Sequence, residues 1–282
     1  MRRFAIAGVL AVVLVGGTVA AAAAARSGSD VHGAPVYLAL GDSVAAGVGA
    51  EPPPGYPERL GALLESGYNA AADKATPNRS VDFDVVNLAV SGATTAMLLA
   101  DQLPAALELI QERRGDRDPH NDVEVITVTI GGNDVFRPVI DACLSGQPPA
   151  SCQPAVDAVL AAAETRLTEA LERLADAAGR RTEVVVTTYY NPIGSCSLSA
   201  INPAAVSVAD AVLEGGTVTG LVAVSVGLND RIRGAAAGVG AQVTDLYGAL
   251  GATDFVGGSD CLHPTAAGHQ EIAEQAYGTL AR

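Results

Sequence analysis

The sequence predicts an α/β protein built on a parallel β-sheet with helices packed on both of its faces. Three observations carry that expectation. Five β-rich runs recur along the chain, longer segments between them place apolar residues at helical spacing, and the two kinds alternate. The runs are residues 36–40, 83–89, 123–130, 183–189 and 242–247. Three of them are dense in Val and Ile, as strands covered on both faces are. Residues 56–66 carry Leu60, Leu63 and Leu64 on one side. Residues 155–178 set Val156, Val159, Leu160, Leu167, Leu171 and Leu174 at helical spacing, with Glu and Arg on the opposite face. Residues 221–237 and 265–280 read as two more helices, although 213–228 holds four glycines and only weak periodicity. The resulting βαβαβαβαβα order calls for right-handed crossovers.

The first 25 residues read differently from the rest. Arg2 and Arg3 precede an apolar run that begins at Phe4, and an alanine tract ends near Ala25. A basic start, an apolar middle and small residues at the end describe a secretory signal peptide, so residues 1–25 are expected to be cleaved and the product secreted. The stretch is also just long enough to serve as an uncleaved anchor. Residues 26–34 form a short leader and 35–282 a single domain, because no linker, repeat or composition break divides them. No second stretch is apolar and long enough to span a membrane.

Of 17 basic side chains, 15 remain without Arg2 and Arg3, against 31 acidic ones, which takes the formal charge from −14 to −16. That balance opposes nucleic acid and anionic membrane surfaces as partners. Four cysteines, Cys143, Cys152, Cys196 and Cys261, suggest two disulfides in an exported chain, with three pairings open. We favour Cys143–Cys152, which closes a loop containing Gly146, Pro148 and Pro149. The second pair is then Cys196–Cys261, each of which follows a strand end near the candidate site. No CxxC pair or ligand-spaced histidines point to a metal, and no cofactor is expected.

Chemistry concentrates where strand-like runs end. Residues 36–40 run into Gly41-Asp42-Ser43, which puts a hydroxyl at the carboxyl edge of the sheet, where open α/β sheets gather ligands. A serine needs a base to take its proton. Asp260-Cys261-Leu262-His263-Pro264 supplies one, in an expected loop feeding the last helix. Asp260 would orient the His263 ring so that its other nitrogen meets the serine. Residues 123–130 lead into Gly131-Gly132-Asn133-Asp134, and 83–89 into Val90-Ser91-Gly92. The Gly92 amide and the Asn133 side chain are uncharged donors suited to a developing oxyanion. Each segment alone reads at least as well as an ordinary turn or helix cap, and the two donor segments read better so. Their joint occurrence at strand ends does not.

These segments resemble the SGNH (GDSL) hydrolase family over nearly the whole mature region and in the family's order. The Asp-x-x-His-Pro-Thr ending with Gly268-His269 is especially similar, and Val44 stands where the motif's name has Leu. The resemblance implies a three-layer α/β/α sandwich around a five-stranded parallel sheet of flavodoxin-like type. It implies Ser43 as nucleophile and first oxyanion donor, Gly92 and Asn133 as the other donors, His263 as base and Asp260 as its partner. The implied activity is a secreted lipase or esterase acting on a small-molecule acyl ester or lipid, in a chain expected to be monomeric. An acyltransferase, a carbohydrate acetylesterase and a non-catalytic exported binding module are the rivals. The α/β-hydrolase elbow G-x-S-x-G fails at Ala45. Trypsin-like proteases do not suit the parallel pattern, nor an order in which Ser43 precedes its histidine.

Asp42 and Asp134 are expected to fix the site's loops. Tyr189, Tyr190 and Asn191 are expected to wall the pocket, and His269 to pack or lie at the surface. His32 falls in the leader and His120 in a solvated charged loop.

Overall fold

Strand β1 (Val36–Gly41) is buried along its whole length, and its alternating side chains divide the protein into layers. Leu38 and Leu40 point to one face of the sheet, Tyr37 and Ala39 to the other. The computed structural model describes residues 33–75, 81–144, 151–197, 199, 202–258 and 260–281. The expected signal peptide, most of the leader and His32 lie outside the described residues.

Five parallel strands form the central sheet in the order β2-β1-β3-β4-β7: β2 (Asp84–Asn87), β1, β3 (Val123–Thr129), β4 (Glu183–Thr187) and β7 (Gln242–Thr244). One face packs against α3 (Leu103–Gly115), α5 (Cys152–Ala178) and α7 (Leu228–Val239), through Leu103, Ile110, Leu160, Leu171 and Ile232. The other packs against α1 (Tyr56–Ala75) and α8 (Ala266–Leu280), through Tyr56, Leu60, Leu64, Ile272 and Ala276. Burying each such Leu or Ile contributes about 1.5–3 kcal/mol, which is why the sheet needs a helical layer on both sides. This is the α/β sandwich expected from the alternating runs.

Four elements differ from the sequence expectation. Residues 221–237 are not one helix. β5 (Gly216–Val218) and β6 (Val222–Val224) pair as an antiparallel hairpin, and α7 starts only at Leu228. Alternating Val and Ala with a left-handed Gly220 at the turn suit a hairpin better than a helix. Helical segments were also missed. Thr95–Met97 (α2), a π-helical turn at Leu98–Gln102 and α3 form one continuous rod. The π turn shifts the apolar positions off a regular 3.6 period. α6 (Ala204–Glu214) is rich in Ala and Val, and only a narrow stripe of Ser207, Asp210 and Glu214 marks its polar face. Finally, Asp260–Pro264 is a strand, β9, paired with β8 (Phe255–Gly257), and not a loop. Pro264 ends that strand, a position where a missing N–H costs no ladder bond. Thr265 then caps α8, its hydroxyl accepting the Gly268 N–H.

Both cysteine pairs are disulfides, Cys143–Cys152 and Cys196–Cys261, with sequence separations of 9 and 65. Loop-closure entropy makes these worth about 2.5 and about 4 kcal/mol. The first ties the helical segment after β3 to the start of α5. The second ties the segment after β4 to β9.

Gly41 ends β1 with φ +144, and a Cβ there would lie 2.1 Å from the Thr129 carbonyl oxygen. No other residue fits so close to β3. The buried Gln102 amide closes on the same residue, its Oε1 accepting the Gly41 N–H and its Nε2 donating to the Gly41 carbonyl, both at 2.8 Å. The Gly41 carbonyl also accepts from Val90 N–H, whereas its N–H depends on Gln102. Gln102→Leu keeps the volume and strands that buried donor, so it should destabilise the fold by about 1–3 kcal/mol in urea unfolding. A midpoint equal to wild type contradicts this account of the strand end.

Candidate active site

Beyond Gly41 the chain turns sharply. Asp42 N–H donates to the Thr129 carbonyl at 2.9 Å, and Asp42 Oδ1 accepts the Val44 N–H at 2.9 Å. This side-chain-to-backbone bond two residues on is the usual lock of such turns. It leaves Ser43, only 8% exposed, at the carboxyl edge of β1. That edge sits beside the point where the strand order reverses from β2-β1 to β1-β3, the place where open α/β sheets bind ligands.

His263 reaches the same point from the other end of the chain. The β8–β9 hairpin carries it, the Cys196–Cys261 bridge anchors that hairpin, and the Tyr190 hydroxyl donates to the Leu262 carbonyl at 3.1 Å. Gly49, with φ +93, lets the loop after Ser43 close on this strand. A Cβ at position 49 would lie 2.4 Å from the Pro264 carbonyl oxygen and 2.9 Å from His263 Cβ. His263 Nε2 stands 2.8 Å from Ser43 Oγ, and Nδ1 stands 2.6 Å from Asp260 Oδ1. A carboxylate only accepts, so Nδ1 carries the ring proton and Nε2 is left to accept from the serine hydroxyl. This is the geometry for general-base activation of a nucleophile.

The expected donors share the cleft. Gly92 lies in the turn after β2, with open space where a side chain would be. Asn133 is the second residue of α4 (Gly132–Val139), and its Nδ2 donates one hydrogen to the Ala93 carbonyl at 2.9 Å. A primary amide has two such hydrogens, so the second remains for a ligand. The Asp134 carboxylate clamps the two loops together by accepting from Thr95 N–H at 2.8 Å and Thr95 Oγ1 at 2.6 Å. Ser43, Gly92, Asn133 and His263 all line one cleft.

Of the residues expected to build the wall, Tyr189 and Tyr190 line the cleft. Asn191 turns away, its amide nitrogen donating to Val206 O at 3.2 Å and to Asp210 at 2.7 Å, so it ties the loop to α6 instead. His269 is fully buried: Nδ1 accepts the Tyr56 N–H at 3.2 Å and Nε2 donates to the Val48 carbonyl at 3.0 Å. That pins the loop after Ser43 to α8. Burial holds its basicity below the ordinary histidine value, which keeps the neutral ring that this pair of bonds requires. His120 lies in an exposed turn. Phe136 and Leu262 also border the cleft, and nothing in their sequence context marks them.

The chain matches the GDSL-like lipase/acylhydrolase family over residues 39–271. It belongs to that family. Ester hydrolysis is thus its class of chemistry. A search for sequence relatives among curated proteins finds none. Solved structures share the fold. An extracellular lipase from Streptomyces rimosus is 23% identical with a TM-score of 0.56, over 87% of this chain and 100% of its own. A phospholipase A1 from Streptomyces albidoflavus is 25% identical with a TM-score of 0.50, over 87% and 99%. The acetylxylan esterase Axe2 from Geobacillus stearothermophilus is 16% identical with a TM-score of 0.50, over 89% and 96%.

One electrostatic feature went unread in the sequence. Asp42 is buried beside Ser43, and burial pushes its carboxyl up from 3.8 to about 6, against the lowering pull of the Tyr189 hydroxyl and the Val44 N–H. Since the folded value exceeds the unfolded one, the fold holds the Asp42 proton more tightly than the open chain does. Stability from this group is complete below about pH 4 and is lost as pH rises through about 6, by about 3 kcal/mol. Asp42→Asn carries no charge to desolvate. Relative to wild type it should therefore gain about that much between pH 4 and pH 7 in urea unfolding. A stability difference independent of pH contradicts the assignment.

Proposed function

We propose that this protein is a secreted serine esterase that cleaves carboxylic esters through an acyl-enzyme on Ser43. The observation that carries the reading is the continuous chain from Ser43 Oγ to His263 Nε2 and from His263 Nδ1 to Asp260 Oδ1, at 2.8 and 2.6 Å. Ser43 Oγ attacks the ester carbonyl carbon while its proton passes to His263 Nε2. The carbonyl oxygen becomes an oxyanion held by the backbone N–H groups of Ser43 and Gly92 and by the second amide hydrogen of Asn133. Asp260 keeps the ring oriented and stabilises its positive charge.

Collapse of the intermediate breaks the bond to the alkoxide, which takes the proton from Nε2 and leaves as the alcohol. Water then occupies the vacated position, gives a proton to Nε2 and attacks the acyl carbon. Ser43 leaves with that proton, and the acid is released. Residues 35–282 form the catalytic domain in this reading, and residues 1–25 are removed on export. The basic start, the apolar run and two disulfides support that route.

The test is kinetic, on a soluble short-chain ester. Ser43→Ala should lower kcat about 10⁶-fold, Asp260→Asn about 10⁴-fold and Asn133→Ala about 10²–10³-fold, with melting temperatures close to wild type for Ser43→Ala. Ser43→Ala turning over at the wild-type rate would sink the mechanism.

A further inference from the structure

Tyr189 lines the cleft, yet its hydroxyl donates to Asp42 Oδ2 and takes no part in the chemistry above. Asp42 accepts the Val44 N–H through its other oxygen, so the phenol is fastened to the turn that presents Ser43. The ring of the same residue rests on a second segment of the site. A Cβ at Gly132 would lie 2.7 Å from Tyr189 Cε1 and 3.1 Å from Cζ. Gly132 opens α4 and directly precedes Asn133. The bonds to Ala93 and Thr95 tie that segment to the Gly92 loop. Tyr189 ties it to the nucleophile turn.

The tyrosine is itself held firmly. The fully buried Asn229 amide accepts the Tyr189 N–H at 2.7 Å and donates to the Tyr189 carbonyl at 2.8 Å. Its nitrogen also donates to Glu214 at 2.6 Å. Asn229 belongs to α7 and Glu214 ends α6, so two helices fix where the ring stands. Burial, with the Asp42 charge adding to it, holds the phenol well above the ordinary tyrosine value. It therefore remains a donor at any working pH. Above about pH 6 Asp42 is a charged acceptor, and such a bond is stronger than a neutral one.

We propose that Tyr189 is a positioning residue, whose ring and hydroxyl together set the spacing between the Ser43 turn and the Asn133 donor. The proposal rests on the acyl-enzyme reading and adds to it a side chain that touches no reacting atom. The oxyanion takes its donors from three separate segments, at Ser43, Gly92 and Asn133. Each contributes fully only if all converge on one oxygen, whose charge develops in the transition state. A clamp across two of those segments thus acts on turnover more than on substrate binding. A tyrosine that merely filled space would need its ring and not its hydroxyl.

The test removes the hydroxyl and keeps the ring. Tyr189→Phe should lower kcat on p-nitrophenyl butyrate at pH 8 about tenfold to hundredfold, with KM within about twofold of wild type. Rates are expressed per active site, counted by complete reaction with a fluorophosphonate, so a misfolded fraction drops out. Gly132→Ala presses a methyl group against the same ring and should reproduce the loss with the phenol intact. A double-mutant cycle with Asn133→Ala then isolates the spacing. With no donor left to align at position 133, adding Tyr189→Phe should cost less than about threefold more. Wild-type kcat per site in Tyr189→Phe overturns the proposal. So does a loss in the Asn133→Ala background as large as in the wild-type one, since the hydroxyl then acts elsewhere. If Ser43→Ala is inactive under either result, the esterase reading stands and only the role of Tyr189 falls. If Ser43→Ala turns over at the wild-type rate, both fall.

Discussion

A single hydrogen bond of 2.8 Å, between side chains 220 residues apart, sets the demands on the rest of this fold. Ser43 Oγ and His263 Nε2 must meet to within tenths of an ångström, since a displacement of about 1 Å can cost a hundredfold in rate. Neither partner is placed by its own element alone. Ser43 depends on where β1 stops, and β1 stops where Gly41 meets the Thr129 carbonyl and the Gln102 amide closes on the backbone. His263 depends on the β8–β9 hairpin, which a disulfide, the Tyr190 hydroxyl and the close approach of Gly49 hold in place. His269 joins the two halves by bonding the Val48 carbonyl on one side and the Tyr56 N–H on the other.

The same proximity explains why a carboxylate sits buried beside the nucleophile. Asp42 must reach the Val44 N–H to form the turn, and that places it in a dry environment that disfavours its charge. Tyr189 offsets part of that cost by donating its hydroxyl to Oδ2. The tyrosine also lines the cleft, so one side chain links turn geometry, local electrostatics and pocket shape. Position 189 thus couples folding to the site more closely than its aromatic character alone suggests.

Much of this was legible in the chain because strand ends announce themselves. Val- and Ile-rich runs broken by Gly41, Gly92 or Gly131 identify both the sheet and its functional edge, and the Asp260-x-x-His263 spacing survived even though its segment is a strand and not a loop. What escaped has physical causes. The π turn at Leu98–Gln102 spoils helical periodicity, so the rod from Thr95 to Gly115 and the buried role of Gln102 left no pattern. The β5–β6 hairpin was hidden by its length, since strands of three residues are too short to display a period.

The central claim is that Ser43 is made nucleophilic by His263 and by nothing else nearby. Reaction with a fluorophosphonate, followed by intact-mass and peptide mass spectrometry, tests it without presuming any substrate. The account predicts one adduct per chain, on the peptide containing Ser43, formed far more slowly when His263 is replaced by Ala. Labelling at another residue, or labelling of Ser43 at the same rate without His263, would contradict it.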